Sequence, residues 1–224
     1  EPVFERIIKV LDTIRGAGLR VVLFARQGID KKTWCSQNGI EPGERLWHPA
    51  IHDEAFKARV AGATLVRRRL ADRPEIIGYP TGIGRFFKYD FSVPPIRDVW
   101  AAWLRRRFSD SIDRAKTCLR LEADEATWES IRMPLEMEPY FNEDNPRSFE
   151  FAVMQQTLVS GASQRMYEAL KPVTPRQLLF DGMEGCCFST GHLTTLIPER
   201  IACDASWVEC YNWEGLRSYH IQSE

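Results

Sequence analysis

No run of eighteen apolar residues occurs in the chain, so it contains no stretch that reads as a membrane-crossing helix. Charge of one sign is equally scarce in excess. Thirty basic against 31 acidic residues give a formal net charge of −1, which leaves no electrostatic footprint for nucleic acid or an anionic membrane, and neither partner is expected. The six cysteines, at 35, 118, 186, 187, 203 and 210, form no CxxC pair and no zinc-ligand spacing with the four histidines. They read as buried structural thiols, and the adjacent Cys186 and Cys187, poorly placed to pair with each other, favour a reducing compartment. The first residues, Glu1-Pro2-Val3-Phe4-Glu5-Arg6, read as a charged helix start and not as a signal segment, so a cytoplasmic location is expected. Repeats and low-complexity tracts are absent. So are the P-loop, the GxSxG elbow and the HExxH pair, and Gly82-Ile83-Gly84 lacks the third glycine and helix start of a dinucleotide fingerprint. No cofactor and no metal are therefore expected.

What is present is alternation. The 224 residues, 44% hydrophobic and 27% charged, suffice for one domain with a sizeable core. Phe4, Ile7, Ile8, Leu11 and Ile14 share one helical face, and Gly16-Ala17-Gly18 stops that helix. Leu19 to Phe24 then reads as a strand. After a glycine- and proline-containing loop through Trp47-His48-Pro49, Asp53 caps a helix carrying Phe56, Val60, Leu65, Val66 and Leu70. The short apolar run Glu75 to Tyr79, bounded by Pro74 and Pro80, is a buried parallel strand. A helix with Val99, Trp100, Trp103, Leu104 and Phe108 follows, then shorter helical pieces at Ile112 to Leu119 and Glu125 to Ile131. Ser148 opens a long helix with Phe149, Phe151, Ala152, Leu158, Val159, Ala162, Met166 and Leu170 inward, ended by Pro172 and Pro175. Gln177 to Asp181 and Ser206 to Tyr211 are the third and fourth strands. The arginine triplets 67–69 and 105–107 read as solvated helix faces. Four short strands separated by helical segments predict parallel βα units, in a barrel or an open doubly wound sheet.

The wording of several segments decides between these. The segments "GAGLRVVLF", "LWHPAIHDEAFKARVAGATLVRRRLADRPEIIGY", "VWAAWLRRRF", "WESIRMP" and "FEFAVMQQTLVSGASQRMYEALKPVTPRQLLFDG" occur in that order. Together they resemble the catalytic barrel of clan A glycoside hydrolases, and among these the family 42 β-galactosidases. In that family a helix ending "RGIRVVL" precedes the third strand and "YRDHPAVIGW" leads into the fourth. The resemblance implies a (β/α)8 TIM-type barrel, here about four βα units corresponding to strands three to six, over residues 1–224. Residues 109–147 would be an insertion between the second and third strands found.

The resemblance also implies a site. In the clan the fourth strand ends in Asn-Glu, the glutamic acid being the general acid/base, and a glutamate ending strand seven is the nucleophile. Two carboxyls about 5 Å apart are what retaining hydrolysis needs. Aligning "IIGY" with "VIGW" puts Ile83 and Gly84 where Asn and Glu belong, and strand seven is expected to lie outside the chain. The substitute acids are Glu184 and Glu209. Candidate carbohydrate-binding residues near carboxyl ends of strands are Arg26, Trp47, His48, Arg85, Asp181, Tyr211 and Trp213, with Glu214 beside them. Indole faces suit sugar C–H stacking and carboxylates suit hydroxyls, whereas any one tryptophan can equally be core packing. Three roles stay open at this point: a glycoside hydrolase, a non-catalytic barrel binding carbohydrate or protein, and a structural subunit whose open sheet edges are covered by a partner chain or another copy.

Overall fold

The computed structural model describes residues 2–23, 50–51, 53–81, 94–134, 146–184 and 203–209. Helix α1, Pro2–Gly16, turns Leu11 fully inward and Ile7 and Ile8 partly so. Its end is a Schellman closure: Leu19 N donates to Ile14 O and Gly18 N to Arg15 O, each at 3.0 Å. The closure needs a left-handed residue, and Gly18 supplies it at φ +68°. Leu19 is thereby spent on the cap, so strand β1 is only Val21–Val22, shorter than the predicted Leu19 to Phe24.

Helix α2, Asp53–Arg69, leads to strand β2, Ile76–Pro80. Helices α3, Pro94–Arg107, and α4, Ile112–Leu119, a single 3₁₀ turn at Trp128–Ser130 and the long helix α5, Pro146–Leu170, come before strand β3, Leu178–Glu184. Strand β4 is Ala205–Glu209. Helix α5 starts at Pro146, two residues before the expected Ser148, because proline's missing N–H costs nothing in a first turn. The sheet runs β1-β2-β3-β4 and every pairing is parallel. Four parallel strands are thus present as predicted, with helices between β1 and β2 and between β2 and β3; the connection from β3 to β4 lies outside the described residues.

Two apolar clusters hold the layers together. Leu11 of α1, Phe56 and Ala63 of α2, Leu70, and Ala162, Met166 and Leu170 of α5 bury Ile76, Tyr79 and Leu179 of the sheet. The second cluster joins Trp100, Leu104 and Phe108 to Ala115, Leu119, Trp128 and Ile131, closed by Phe151 and Met154 of α5. Trp100 meets Phe151 edge to face, ring centroids 5.4 Å apart. Helix α5 therefore serves both clusters, one with each half. Phe149, expected inward, is 44% exposed, because the inward stripe of buried Phe151, Met154, Ala162, Met166 and Leu170 with half-buried Leu158 steps by three and four and passes it by. Leu65 is likewise on the outer side of α2, at 60% exposure. Cys118 is exposed and Cys203 half-buried, so Cys118 departs from the expectation of buried thiols.

The start of β4 is fastened by one side chain. Asp204 accepts from Tyr167 Oη at 2.9 Å, Lys171 Nζ at 2.6 Å and Leu179 N at 2.8 Å. Burial works to raise its pKa, but these donors outweigh it and hold the carboxyl below its ordinary 3.8. A carboxyl whose folded pKa is depressed adds stability above its unfolded pKa and loses it as pH falls through the folded value. Asp204→Asn is therefore expected to destabilise the protein at neutral pH and to flatten the fall in stability below about pH 3.8, read by urea unfolding at a series of pH values. An acid limb left unchanged by the substitution would remove this role. Among the described residues no helix is long and apolar enough to cross a membrane.

Candidate functional site

Parallel sheets bind ligands at the carboxyl ends of their strands, since connecting loops and free backbone groups converge there. In this sheet that end comprises Pro80, the last residue of β2, with Thr81 after it, Glu184 at the end of β3 and Glu209 at the end of β4. The β3–β4 ladder sets Asp181 opposite Ser206, Gly182 opposite Trp207 and Glu184 opposite Glu209. The two substitute acids thus occupy partnered register positions on adjacent strands, whose backbones run about 4.8 Å apart. Asp181 sits three residues further from the rim on β3. Arg26, Trp47, His48, Gly84, Arg85, Tyr211 and Trp213 lie outside the described residues, as does Glu214. Gly84 follows the last residue of β2 by four positions.

Strand β2 carries a bulge that strict alternation does not foresee. Val21 N donates to Glu75 O and Leu23 N to Gly78 O, so two residues of β1 span three of β2. The extra residue lets Ile76 and Tyr79, three apart, both face the helices, while Ile77 is left 36% exposed. Gly78 lies under the Phe180 ring. Since Gly78 O bonds toward β1 and Thr81 N donates to Phe180 O of β3 at 2.7 Å, Pro80 falls on the β1 side, where it has no N–H to offer.

Its carbonyl is taken by Arg67. The guanidinium Nη2 donates to Pro80 O at 3.1 Å, and its carbon lies 4.8 Å from the centre of the Tyr79 ring. Arg67 is 1% exposed, which corrects the reading of residues 67–69 as a solvated face. The signal was available: Arg67 stands four residues after Ala63 and three before Leu70, both fully buried, and so shares their helical stripe. Burial lowers its pKa to about 10, partly countered by Tyr79, and the group stays charged at neutral pH. Burial also raises the Tyr79 pKa, with Arg67 pulling it down and Glu75 pushing it up, so the phenol stays neutral. No group of three or more His, Cys, Asp and Glu side chains that would hold a metal occurs among the described residues.

Several solved structures share this arrangement of strands and helices. A β-galactosidase from the Antarctic haloarchaeon Halorubrum lacusprofundi superposes on 96% of the chain with a TM-score of 0.66 at 17% identity, using 35% of its own length. One from Bacillus circulans sp. alkalophilus matches 95% of the chain with a TM-score of 0.64 at 12% identity and 33% of its length. One from Rahnella sp. R3 matches 91% at 0.63 and 15% identity, over 31% of its length. The chain has the fold of part of a β-galactosidase. It spans about a third of these enzymes. A family 42 β-galactosidase from G. stearothermophilus, matching 84% of the chain with a TM-score of 0.58, agrees with the resemblance drawn from sequence. No protein-family model matches the chain, and no curated protein matches it in sequence.

Proposed function

We propose that this chain forms strands three to six of a glycoside-hydrolase-type (β/α)8 barrel and holds carbohydrate at the carboxyl end of its sheet. Supporting this are the parallel order β1-β2-β3-β4, the β-galactosidase likeness, and above all the register partnership of Glu184 and Glu209 at that end. Paired carboxylates are the machinery of glycoside cleavage. In this reading Glu184 and Glu209 act on the glycosidic oxygen and anomeric carbon in place of the acid/base that Gly84 lacks. Arg26, Trp47, His48, Arg85, Asp181, Tyr211 and Trp213 line the sugar cleft, and residues 109–147 are an insertion outside it. The outer edges of β1 and β4 pair with further strands, whether from a longer chain, a partner chain or a second copy.

Glu184→Gln and Glu209→Gln are each expected to lower hydrolysis of an aryl β-galactoside by on the order of 10²-fold or more, with sugar binding measured by calorimetry retained. Full activity in both variants would sink the assignment of these acids. The second reading, a barrel that binds carbohydrate without turnover, is favoured by Ile83 and Gly84 at the positions where Asn and Glu are expected. Binding of galactosides with no hydrolysis by the unaltered chain, and gain of hydrolysis on Gly84→Glu, would select it. Absence of any sugar binding would remove both readings.

A further inference from the structure

Strand β2 ends on a proline, and its carboxyl end is held differently on its two sides. On the β3 side Thr81 N donates to Phe180 O at 2.7 Å. On the β1 side the last ladder bond among the described residues is Leu23 N to Gly78 O, and two residues further on Pro80 presents a carbonyl there but no N–H. A side chain takes up that carbonyl. Arg67 Nη2, from α2, donates to Pro80 O at 3.1 Å, and the guanidinium carbon stands 4.8 Å from the centre of the Tyr79 ring. The end of β2 is thus held between the backbone of β3 and a guanidinium.

Arginine is a costly way to fill this place. Arg67 is buried on the stripe of Ala63 and Leu70, where an apolar side chain of similar length would pack without desolvating a charge. What the charged head adds is grip: its bond to a carbonyl is stronger than a neutral one, and it lies against the Tyr79 ring as well. Tyr79 and Pro80 are consecutive, so one head group fixes the backbone just before Thr81. Gly84 and Arg85 follow Thr81 by three and four positions.

We propose that Arg67 is a positioning residue for the carbohydrate site: it touches no sugar, and by holding Tyr79 and Pro80 from the α2 side of the sheet it fixes the strand end from which the Gly84-Arg85 segment departs. This rests on the carbohydrate reading above. It does not depend on which acids perform the chemistry.

Two measurements keep its failure apart from the failure of that reading. Hydrogen exchange of the Thr81 amide, followed by NMR, needs no sugar. In Arg67→Met it should speed up roughly 10- to 100-fold relative to the Val21 amide, which bonds Glu75 O beside the start of β2, as expected for the loss of one hydrogen bond from a charged donor. An equal change at both amides marks a merely global loss of stability and would overturn the clamp. Calorimetry with methyl β-galactoside should show affinity lowered about tenfold in Arg67→Met, since the site is no longer preorganised. Arg67→Lys keeps a charged donor without the planar head and should restore part of both losses. Arg68→Met, which removes the exposed neighbour, should change neither. Thr81 loosened with sugar affinity unchanged would overturn the positioning role and leave the carbohydrate reading standing. No galactoside binding by the unaltered chain would remove that reading and Arg67's part in it, while the exchange ratio still decides the clamp. If Arg67→Met fails to fold, the unaltered chain carries the test: the Arg67 Nη protons should resolve separately and exchange slowly, and rapidly averaged signals would overturn the clamp.

Discussion

Arg147→Met is expected to lower stability by about 3–5 kcal/mol, the cost of leaving a buried charge without its partner. Glu125 is 0% exposed and accepts four bonds: Arg147 Nη1 at 3.0 Å, Arg147 Nη2 at 2.8 Å, Glu122 N at 2.8 Å and Arg132 N at 2.8 Å. The carboxylate thus folds the segment after α4 around itself, while Arg147 fixes that segment to the first turn of α5. Arg147 also donates to Leu119 O at 3.5 Å and Arg120 O at 3.3 Å, where α4 ends in left-handed Arg120 at φ 53°. Methionine fills the stem's volume but supplies neither charge nor donors. At roughly 2–4 °C per kcal/mol for a chain of this size, the melting temperature should fall by about 6–20 °C. Arg132→Met is the control, because its ion pair with Asp124 joins two exposed side chains and should be worth about 0–1 kcal/mol. Urea unfolding of both variants decides the matter: a loss below about 1 kcal/mol for Arg147→Met would show that Glu125 is satisfied by the two backbone donors alone.

That pair also shows where sequence reading stops. Glu125 and Arg147 are 22 positions apart, and only the tertiary fold makes one buried and the other its clamp. The four strands, the helices that precede β2 and β3 and the apolar stripe of α5 were legible, because hydrophobic period and glycine or proline punctuation act locally. Gly18 ended α1 where glycine was expected to. The bulge in β2 was not legible, since it is a property of two strands together, and "IIGY" carries no mark that Val22 will meet Gly78 instead of Ile77. Arg67 was missed for a different reason. Three consecutive arginines suggest one solvated face, but successive helical residues point 100° apart and cannot share one. At the candidate site, sequence supplied both acids, and the β3–β4 register made them partners. Glu184 and Glu209 stand 25 residues apart along the chain, so only strand pairing could bring them together.

Gly78→Val should cost about 3 kcal/mol or more, because the added atoms have no place to go. A Cβ at Gly78 would stand 2.4 Å from Phe180 Cε2 and 2.5 Å from the carbonyl oxygen of Leu178. Overpacking of a core typically costs about 1–3 kcal/mol when neighbours are side chains that turn aside. Here one neighbour is backbone, held in the β2–β3 ladder at the Gly78–Leu178 pair, so relief requires the strands to part. Phe180→Leu separates the two contributions: combined with Gly78→Val it removes the ring clash and leaves the carbonyl clash. The double variant is therefore expected to recover only part of the loss, measured by urea unfolding. Full recovery would place the whole penalty on the Phe180 ring. Parting of these strands would also stretch the bond from Thr81 N to Phe180 O, which joins the carboxyl end of β2 to β3. Any sugar cleft built across β2, β3 and β4 relies on that junction, so Gly78→Ala should weaken carbohydrate binding even at temperatures where the protein remains folded. The glycine is thus required by how closely two parallel backbones and one phenyl ring approach at the strand that leads into the site.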